Sequence, residues 1–261
     1  KQLLHYIKKA NAGHTGGDLS CIDILNVLYN QILNVSPESF ANPDRDRYIQ
    51  SKGHSVEALY VVLADCGFFP ETDLDTLCQY DSPYVGHPTR KVHGIEHNTG
   101  ALGHGLSVSV GLALAAKLDQ RDYRVFCLLG DGELTEGSNW EAALSASHYK
   151  LDNLIAIVDY NQLQITGSTR DVCNTDPLAE KFSAFGWEVR QVNGHDITAL
   201  IDCLQQSPKS QCPHVVIAHT IKGKGISFME NDKTWHHRVP SDEEFERAMN
   251  ELDTAMSAHS K

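Results

Sequence analysis

The chain has 261 residues, with 34 acidic against 22 basic side chains and a formal net charge of −12. A balance this acidic excludes a basic nucleic-acid-binding module, which needs clustered Lys and Arg to neutralise phosphates. With 41% hydrophobic and 21% charged residues, the composition is that of an ordinary globular chain rather than a disordered or fibrous one.

The longest apolar run, Val108 to Ala116, is broken by Ser109 and Gly111 and falls well short of the roughly 18 residues a membrane helix needs. Lys1 to Ala10 lacks the apolar stretch of a secretory signal. Seven cysteines, odd in number and without a CxxC pair, fit a reduced, cytoplasmic chain. No repeat and no linker divides the sequence, so one domain is expected over residues 1–261.

In chain order, amphipathic helices are expected at Asp23–Leu33 and Ser55–Cys66, and a small-residue helix at His104–Leu118. Short apolar runs at Val125–Leu129, Leu154–Val158, Glu188–Val192 and His214–His219 read as strands buried on both faces. Helical patterns lie between them, at Ser138–Lys150, Pro177–Phe185 and Asp196–Gln206. Alternating strands and helices predict an α/β fold, a parallel sheet with helices on both faces. The last segment, Ser241–Ser257, opens with SDEE, an N-cap followed by carboxylates suited to the positive end of a helix dipole, and its packing partner is not apparent.

The sharpest local feature is Gly130-Asp131-Gly132-Glu133, directly after one strand and before a helix. Ligands of open α/β sheets bind at such carboxyl ends. The glycines admit a phosphate close to the backbone and the next helix offers free N–H groups, yet Asp131 would place an anion in an anion site. A divalent cation resolves the conflict. Its second oxygen ligand is expected at the end of the neighbouring strand, where Asn161 follows Asp131 by thirty residues, one strand-helix-strand unit. The implied ligand is a diphosphate with a metal. An isolated GDG is ordinarily just a turn. The arrangement also fits a generic nucleotide fold, and no GxGxxG or GxxxxGK[ST] occurs to settle the matter.

GDGELTEG, followed by Asn161 in DYNQLQITG, resembles the thiamine-diphosphate signature of transketolases. The likeness extends along the chain: NAGHTGG (11–17) is similar to the family's GHPG motif and SKGHS (51–55) to its GHA segment. VGHP (85–88) and NTGALGHG (98–105) resemble GHP and TGxLGQG, and Trp235-His236 resembles the late WHG. The resemblance implies the diphosphate-binding domain of that family, with thiamine diphosphate and Mg2+ (or Ca2+ or Mn2+) as cofactors.

It further implies that Asp131, Asn161 and the backbone carbonyl of Leu163 hold the metal. Gly132, His54 and His236 would meet the diphosphate, Leu102 and Ile165 would pack against the thiazolium ring, and Gly100 and Gly130 would also bind the cofactor. His14, His87 and His236 would line the first carbons of a donor sugar. Glu136 would sit at a subunit interface in a carboxylate network linking two cofactors, its plain alternative being a helix N-terminal glutamate. Thiamine diphosphate serves as an electron sink for a two-carbon unit, and proton transfers near neutrality suit imidazole. His5, His148, His195, His214 and His259 are assigned to turns or the surface, whereas His93, His97 and His219 stay open.

The sequence departs from the family pattern at Thr15 (proline), His104 (glutamine), Thr166 (acidic) and His237 (glycine). Family members in one chain continue into a pyrimidine-binding domain and a third domain, beyond what these residues supply. The expectation is therefore the N-terminal subunit of a split transketolase, moving a ketol unit from ketose to aldose. It would be active only with a C-terminal partner subunit, as α2β2, on small-molecule sugars. Alternatives are another thiamine enzyme such as a deoxyxylulose-phosphate synthase or 2-oxo acid dehydrogenase component, a split transketolase for a sulfonated or branched sugar, and a non-catalytic scaffold paralogue.

Overall fold

The structure, a computed structural model, describes residues 1–206 and 211–259, the last by its backbone alone, so the surface assignment of His259 lies outside the described side chains. Two helices, α1 (Gln2–Ala10) and α2 (Thr15–Val27), lead into a single π-type turn at Leu28–Ile32. They are followed by β1 (Arg47–Gln50), α3 (Val56–Asp65) and, after a long irregular stretch, α4 (Gly105–Leu118). Then come β2 (Val125–Gly130), α5 (Gly137–His148), β3 (Leu154–Tyr160), α6 (Thr169–Val172), α7 (Leu178–Ala184), β4 (Glu188–Asn193), α8 (Ile197–Gln205), β5 (His214–His219) and α9 (Asp242–His259).

Among the described residues the strands pair in parallel, in the order β1-β2-β3-β5-β4. Side chains alternate between two cores. Phe126, Leu128, Ile155 and Ile157 face the layer of α1, α2, α3 and α8, while Val125, Cys127, Leu129, Leu154, Ala156 and Val158 face the layer of α4, α5 and α7. Burial on both faces is why these strands read as unbroken apolar runs. Each fully buried Leu or Phe contributes roughly 1.5–3 kcal/mol.

Four features depart from the sequence expectation. The strand β1, Arg47-Tyr48-Ile49-Gln50, is an edge strand too short and too polar at its ends to register as apolar periodicity. Gln2–Ala10 is helical, its face of Leu3, Leu4, Tyr6 and Ile7 buried. The helix expected to start at Asp23 starts at Thr15, because the glycines of its first turn conceal the pattern. The terminal helix has a packing partner: Phe245, Ala248, Met249 and Leu252 lie against the α1–α3 core. Its entry is a capping box, with Ser241 Oγ accepting from Glu244 N at 3.2 Å and Glu244 Oε2 accepting from Ser241 N at 2.9 Å. No helix among the described residues is long and apolar enough to cross a membrane.

Candidate active site

The register Gly130↔Asp159 and Asp159↔Ala218 brings the carboxyl ends of β2, β3 and β5 level. Three loops therefore open onto one place, and the start of α2 and the segment before α3 meet them there. A cavity of about 270 Å³ lies at that place, lined among others by His14, His54, Gly100, Leu102, Gly130, Asp131, Gly132, Asn161, Leu163, Ile165 and His236. The structure thus gathers eleven sequence-nominated residues from six separate segments.

Asp131 is buried, and its carboxylate is held by two backbone donors, Gly132 N at 2.7 Å and Gln162 N at 2.5 Å. Burial, with the nearby Asp159 charge, pushes its pKa up to about 7. Asn161 Oδ1 accepts from Leu163 N at 3.1 Å, while its Nδ2 donates to Ser20 Oγ and Asp159 Oδ2 at 3.2 and 3.3 Å. Asp131, Asn161 and Leu163 line the same cavity and bring to it a buried carboxylate, an amide oxygen and a backbone carbonyl, oxygen donors all. That chemistry fits a hard divalent cation such as Mg2+.

Behind this set lies a polar network that sequence reasoning missed. Asp159, fully buried, accepts from Lys52, Ser20 and Thr220. Burial alone would lower the Lys52 pKa and raise that of Asp159, but the pair holds Lys52 above and Asp159 below its ordinary value. Glu133, also buried, accepts from Ser51 Oγ, from Gly103 N at 2.9 Å and from Gly130 N at 3.1 Å. It ties the loop before α4 to the end of β2. Charged residues in a sequence ordinarily signal solvent; the available signal was their position inside the motifs, Lys52 in SKGHS and Glu133 in GDGE.

The far wall is made of imidazoles. His14 has ring-centroid distances of 5.2 Å to His54, 5.6 Å to His236, 6.3 Å to His87 and 4.6 Å to His237. His54 stacks on His236 at 5.2 Å. Burial, then the neighbouring imidazoles and Lys222 and Lys52, takes the His14 pKa down to about 4. Burial, then Lys222, takes His236 down to about 3, and burial with Lys52 holds His54 well below its ordinary value. These three rings are neutral at pH 7. Lys222, buried and lining the cavity, is itself lowered to about 8 by burial and then by Lys52.

Two buried polar atoms of the lining, His14 Nδ1 and Gln164 Nε2, have no hydrogen-bond partner among the described residues. Gly100 and Gly132 leave space that a Cβ would remove, within 2.8 Å of His87 Cδ2 and Gln164 Cγ. Orphaned polar atoms, two buried lysines and an oxygen-donor cradle make a site suited to a diphosphate carried by a metal.

Not every nominated residue lines the cavity. His87 is exposed, beside Gly100 at the mouth, and Glu136 is exposed outside it, at the N-cap of α5 and against Gly103. His237, a departure from the pattern, joins the imidazole cluster. His104 is exposed at the start of α4, its Nδ1 3.0 Å from the Leu102 carbonyl. His93 packs on Phe40 and Phe68 and has no part in the cavity lining. One assignment to a turn or the surface is corrected, since His214 is buried at the start of β5. His195 does lie in the turn after β4, where its ring bridges Asp23 and the backbone N–H of Ile221 at 2.8 Å each.

Residues 3–256 match the family model described as "Transketolase, thiamine diphosphate binding domain". The chain belongs to the transketolase family. It is 49% identical over 253 residues, 97% of this chain and 90% of the relative, to one of the subunits of the apulose-4-phosphate transketolase of Phocaeicola vulgatus. It is 39% identical over 255 residues, 97% and 93% of the two chains, to the 6-deoxy-6-sulfo-D-fructose transketolase subunit of a Clostridium species. Among solved structures, the transketolase of Campylobacter jejuni superposes with a TM-score of 0.90 at 34% identity. That match covers 97% of this chain and 41% of the other, so the chain spans about two-fifths of that family member's length. The superposition takes in the parallel five-stranded sheet described above.

Proposed function

We propose that the chain is the thiamine-diphosphate-binding subunit of a two-chain transketolase, moving a two-carbon ketol unit from a ketose donor to an aldose acceptor. One observation carries the reading: the oxygen-donor set Asp131, Asn161 and Leu163 shares a cavity of about 270 Å³ with His14, His54 and His236. When bound, thiamine diphosphate supplies an electron sink for the two-carbon unit.

Asp131, Asn161 and Leu163 would hold Mg2+, while Lys222, His54, His236 and the Gly132 backbone would receive the diphosphate. Leu102 and Ile165 would cover the ring and keep water from it. His14, with His87 at the mouth, would hydrogen-bond the donor's first oxygens and accept or return a proton there, and His236 would donate its N–H to them. Glu136 lies outside the cavity, where a neighbouring subunit would meet it.

The residues described here form a diphosphate-binding unit. We infer that a C-terminal subunit supplies the pyrimidine-binding half, in an α2β2 assembly working in the cytoplasm. Two relatives named as subunits of apulose-4-phosphate transketolases, at 49% and 53% identity, support both the division into two chains and apulose 4-phosphate as the first substrate to test. The intact donor set and imidazole cluster argue against a non-catalytic scaffold.

The test is reconstitution with the chain encoded beside this one, in Mg2+ and thiamine diphosphate, with apulose 4-phosphate, xylulose 5-phosphate and 6-deoxy-6-sulfofructose offered in turn with an aldose phosphate acceptor. Transfer by the pair and by neither chain alone is expected. A stable complex that binds cofactor yet transfers from no ketose would overturn the reading.

A further inference from the structure

At the opposite end of the sheet from the cofactor cavity, the first residues of β4 and β5 stand side by side in the register Glu188↔His214. Cys212 precedes β5 by two residues. One ligand atom from each of Glu188, Cys212 and His214 lies within 4.8 Å of the others. His214 is buried, and Glu188 and Cys212 are half-buried. We propose that these three side chains form a second metal site, selective for zinc, that fastens the edge strand β4 to β5.

The donor types point to the ion. A thiolate, an imidazole and one carboxylate oxygen are the ligand classes of tetrahedral zinc, whereas Mg2+ takes oxygen ligands almost exclusively. The spacing points the same way. Glu188 Oε2 lies 3.5 Å from His214 Nδ1, outside the usual range for an N–H···O hydrogen bond. Two atoms each about 2.1 Å from a tetrahedral zinc stand roughly 3.4 Å apart. The other carboxylate oxygen, Glu188 Oε1, is gripped by Arg190 through Nε at 3.0 Å and Nη2 at 2.8 Å. Two donors on one oxygen orient the carboxylate, as outer-sphere partners of metal ligands do. Arg190 is itself tied to the Cys203 carbonyl at 2.9 Å, so the arrangement is built into the end of α8 as well.

Zinc binds cysteine as the thiolate. Among the described residues β4 is an edge strand paired only with β5, so a tie at its first residue would limit fraying where the ladder begins. The site shares no residue with the cofactor cavity.

The experiment uses the whole chain saturated with Mg2+ and thiamine diphosphate, titrated with Zn2+ and, separately, with Co2+ as a spectroscopic probe. One Zn2+ per chain is expected, with a thiolate-to-Co2+ charge-transfer absorption and a raised thermal midpoint. Cys212→Ser should lose all three, and Glu188→Gln should lose the zinc stoichiometry should the serine variant fail to fold. Asp131→Asn, which addresses the cofactor metal, and Cys78→Ser, at an exposed thiol, should each retain one Zn2+. Unchanged uptake in both Cys212→Ser and Glu188→Gln, or zinc lost with Asp131→Asn, would overturn the proposal.

Discussion

Lys222 Nζ lies 3.1 Å from Nδ1 of His236, in the wall of the cofactor cavity. An ammonium facing that nitrogen makes it the acceptor and leaves the ring's proton on Nε2. His236 therefore presents a neutral N–H donor to whatever lies beyond it. Lys222→Met removes the cation that, after burial, does most to depress this imidazole. The His236 pKa is expected to rise from about 3 towards the ordinary histidine value, and that of His14 to rise with it. Histidine ring titration by NMR checks this. No movement in either would remove Lys222 as the cause.

The same imidazoles leave a mark on stability. His14 and His236 titrate at about 4 and about 3 in the folded chain against about 6.5 unfolded. Between those values the unfolded chain binds more protons, so their contribution is fully present above pH 6.5 and is lost as pH falls towards the folded values. Asp131 and Asp18, both raised to about 7, act with the opposite sign, so the parent curve alone does not isolate the histidines. The comparison is with variants. His14→Gln and His236→Gln should gain stability relative to the parent as pH is lowered from 7 to 5, read from urea unfolding. Parallel curves would show that these rings titrate normally.

The buried pair Lys52–Asp159 anchors the carboxyl ends of the sheet to the start of α2. Lys52 also donates to the Gly17 carbonyl at 3.1 Å, and Asp159 holds the Asn161 amide. Lys52→Met leaves an uncompensated buried carboxylate and should cost about 3–5 kcal/mol in chemical denaturation. Lys52→Met with Asp159→Leu should recover part of that loss, since an apolar pair incurs no charge-burial penalty. The double variant is still expected to lose metal-dependent cofactor binding, because Asn161 loses an acceptor for its Nδ2.

How far these features were legible from residues alone depended on whether the signal was local. The strands β2, β3 and β5 were visible because burial on both faces leaves apolar runs, and the loops after β2 and β3 because glycine, aspartate and asparagine fall at fixed places in them. β1 was not, since four residues with Arg47 and Gln50 at the ends carry no period. Nor does any local pattern encode the order β1-β2-β3-β5-β4. Lys52, Glu133, Asp159 and Lys222 escaped notice because a charged residue announces burial only through a partner, here 107 residues away for Lys52 and Asp159. His214 was assigned to a turn or the surface for the same reason.

Gly103 has a positive φ of 85°, and a Cβ there would lie 2.5 Å from Glu136 Cβ. Gly103→Ala should therefore displace Glu136 and cost about 1–3 kcal/mol, as overpacking does. Gly111, within α4, has nothing within 4 Å of an added Cβ. In the isolated chain Gly111→Ala should be neutral or stabilise by about 0.5–1 kcal/mol. Thermal unfolding of the two variants side by side separates a steric requirement at Gly103 from a general preference for glycine in this segment.

His87 makes the sharpest functional test, because it stands beside the cavity and not in its lining. The residue is exposed overall, but its ring lies over Gly100, 6.3 Å from His14 by centroid, and this partial desolvation lowers its pKa below the usual histidine value. A ligand seated between Asp131 and His236 would not need it, whereas a sugar entering through the mouth would pass it. In the reconstituted two-chain enzyme, His87→Ala should leave thiamine diphosphate affinity by calorimetry unchanged. kcat/KM for the ketose donor should fall about 10-fold, the loss of roughly one hydrogen bond of ~1.4 kcal/mol. His14→Ala, whose Nδ1 is buried and unpartnered at the far wall, should lower both. Normal ketose kinetics in His87→Ala would remove it from the donor site, and weakened cofactor binding there would show that the mouth and the cavity are a single subsite.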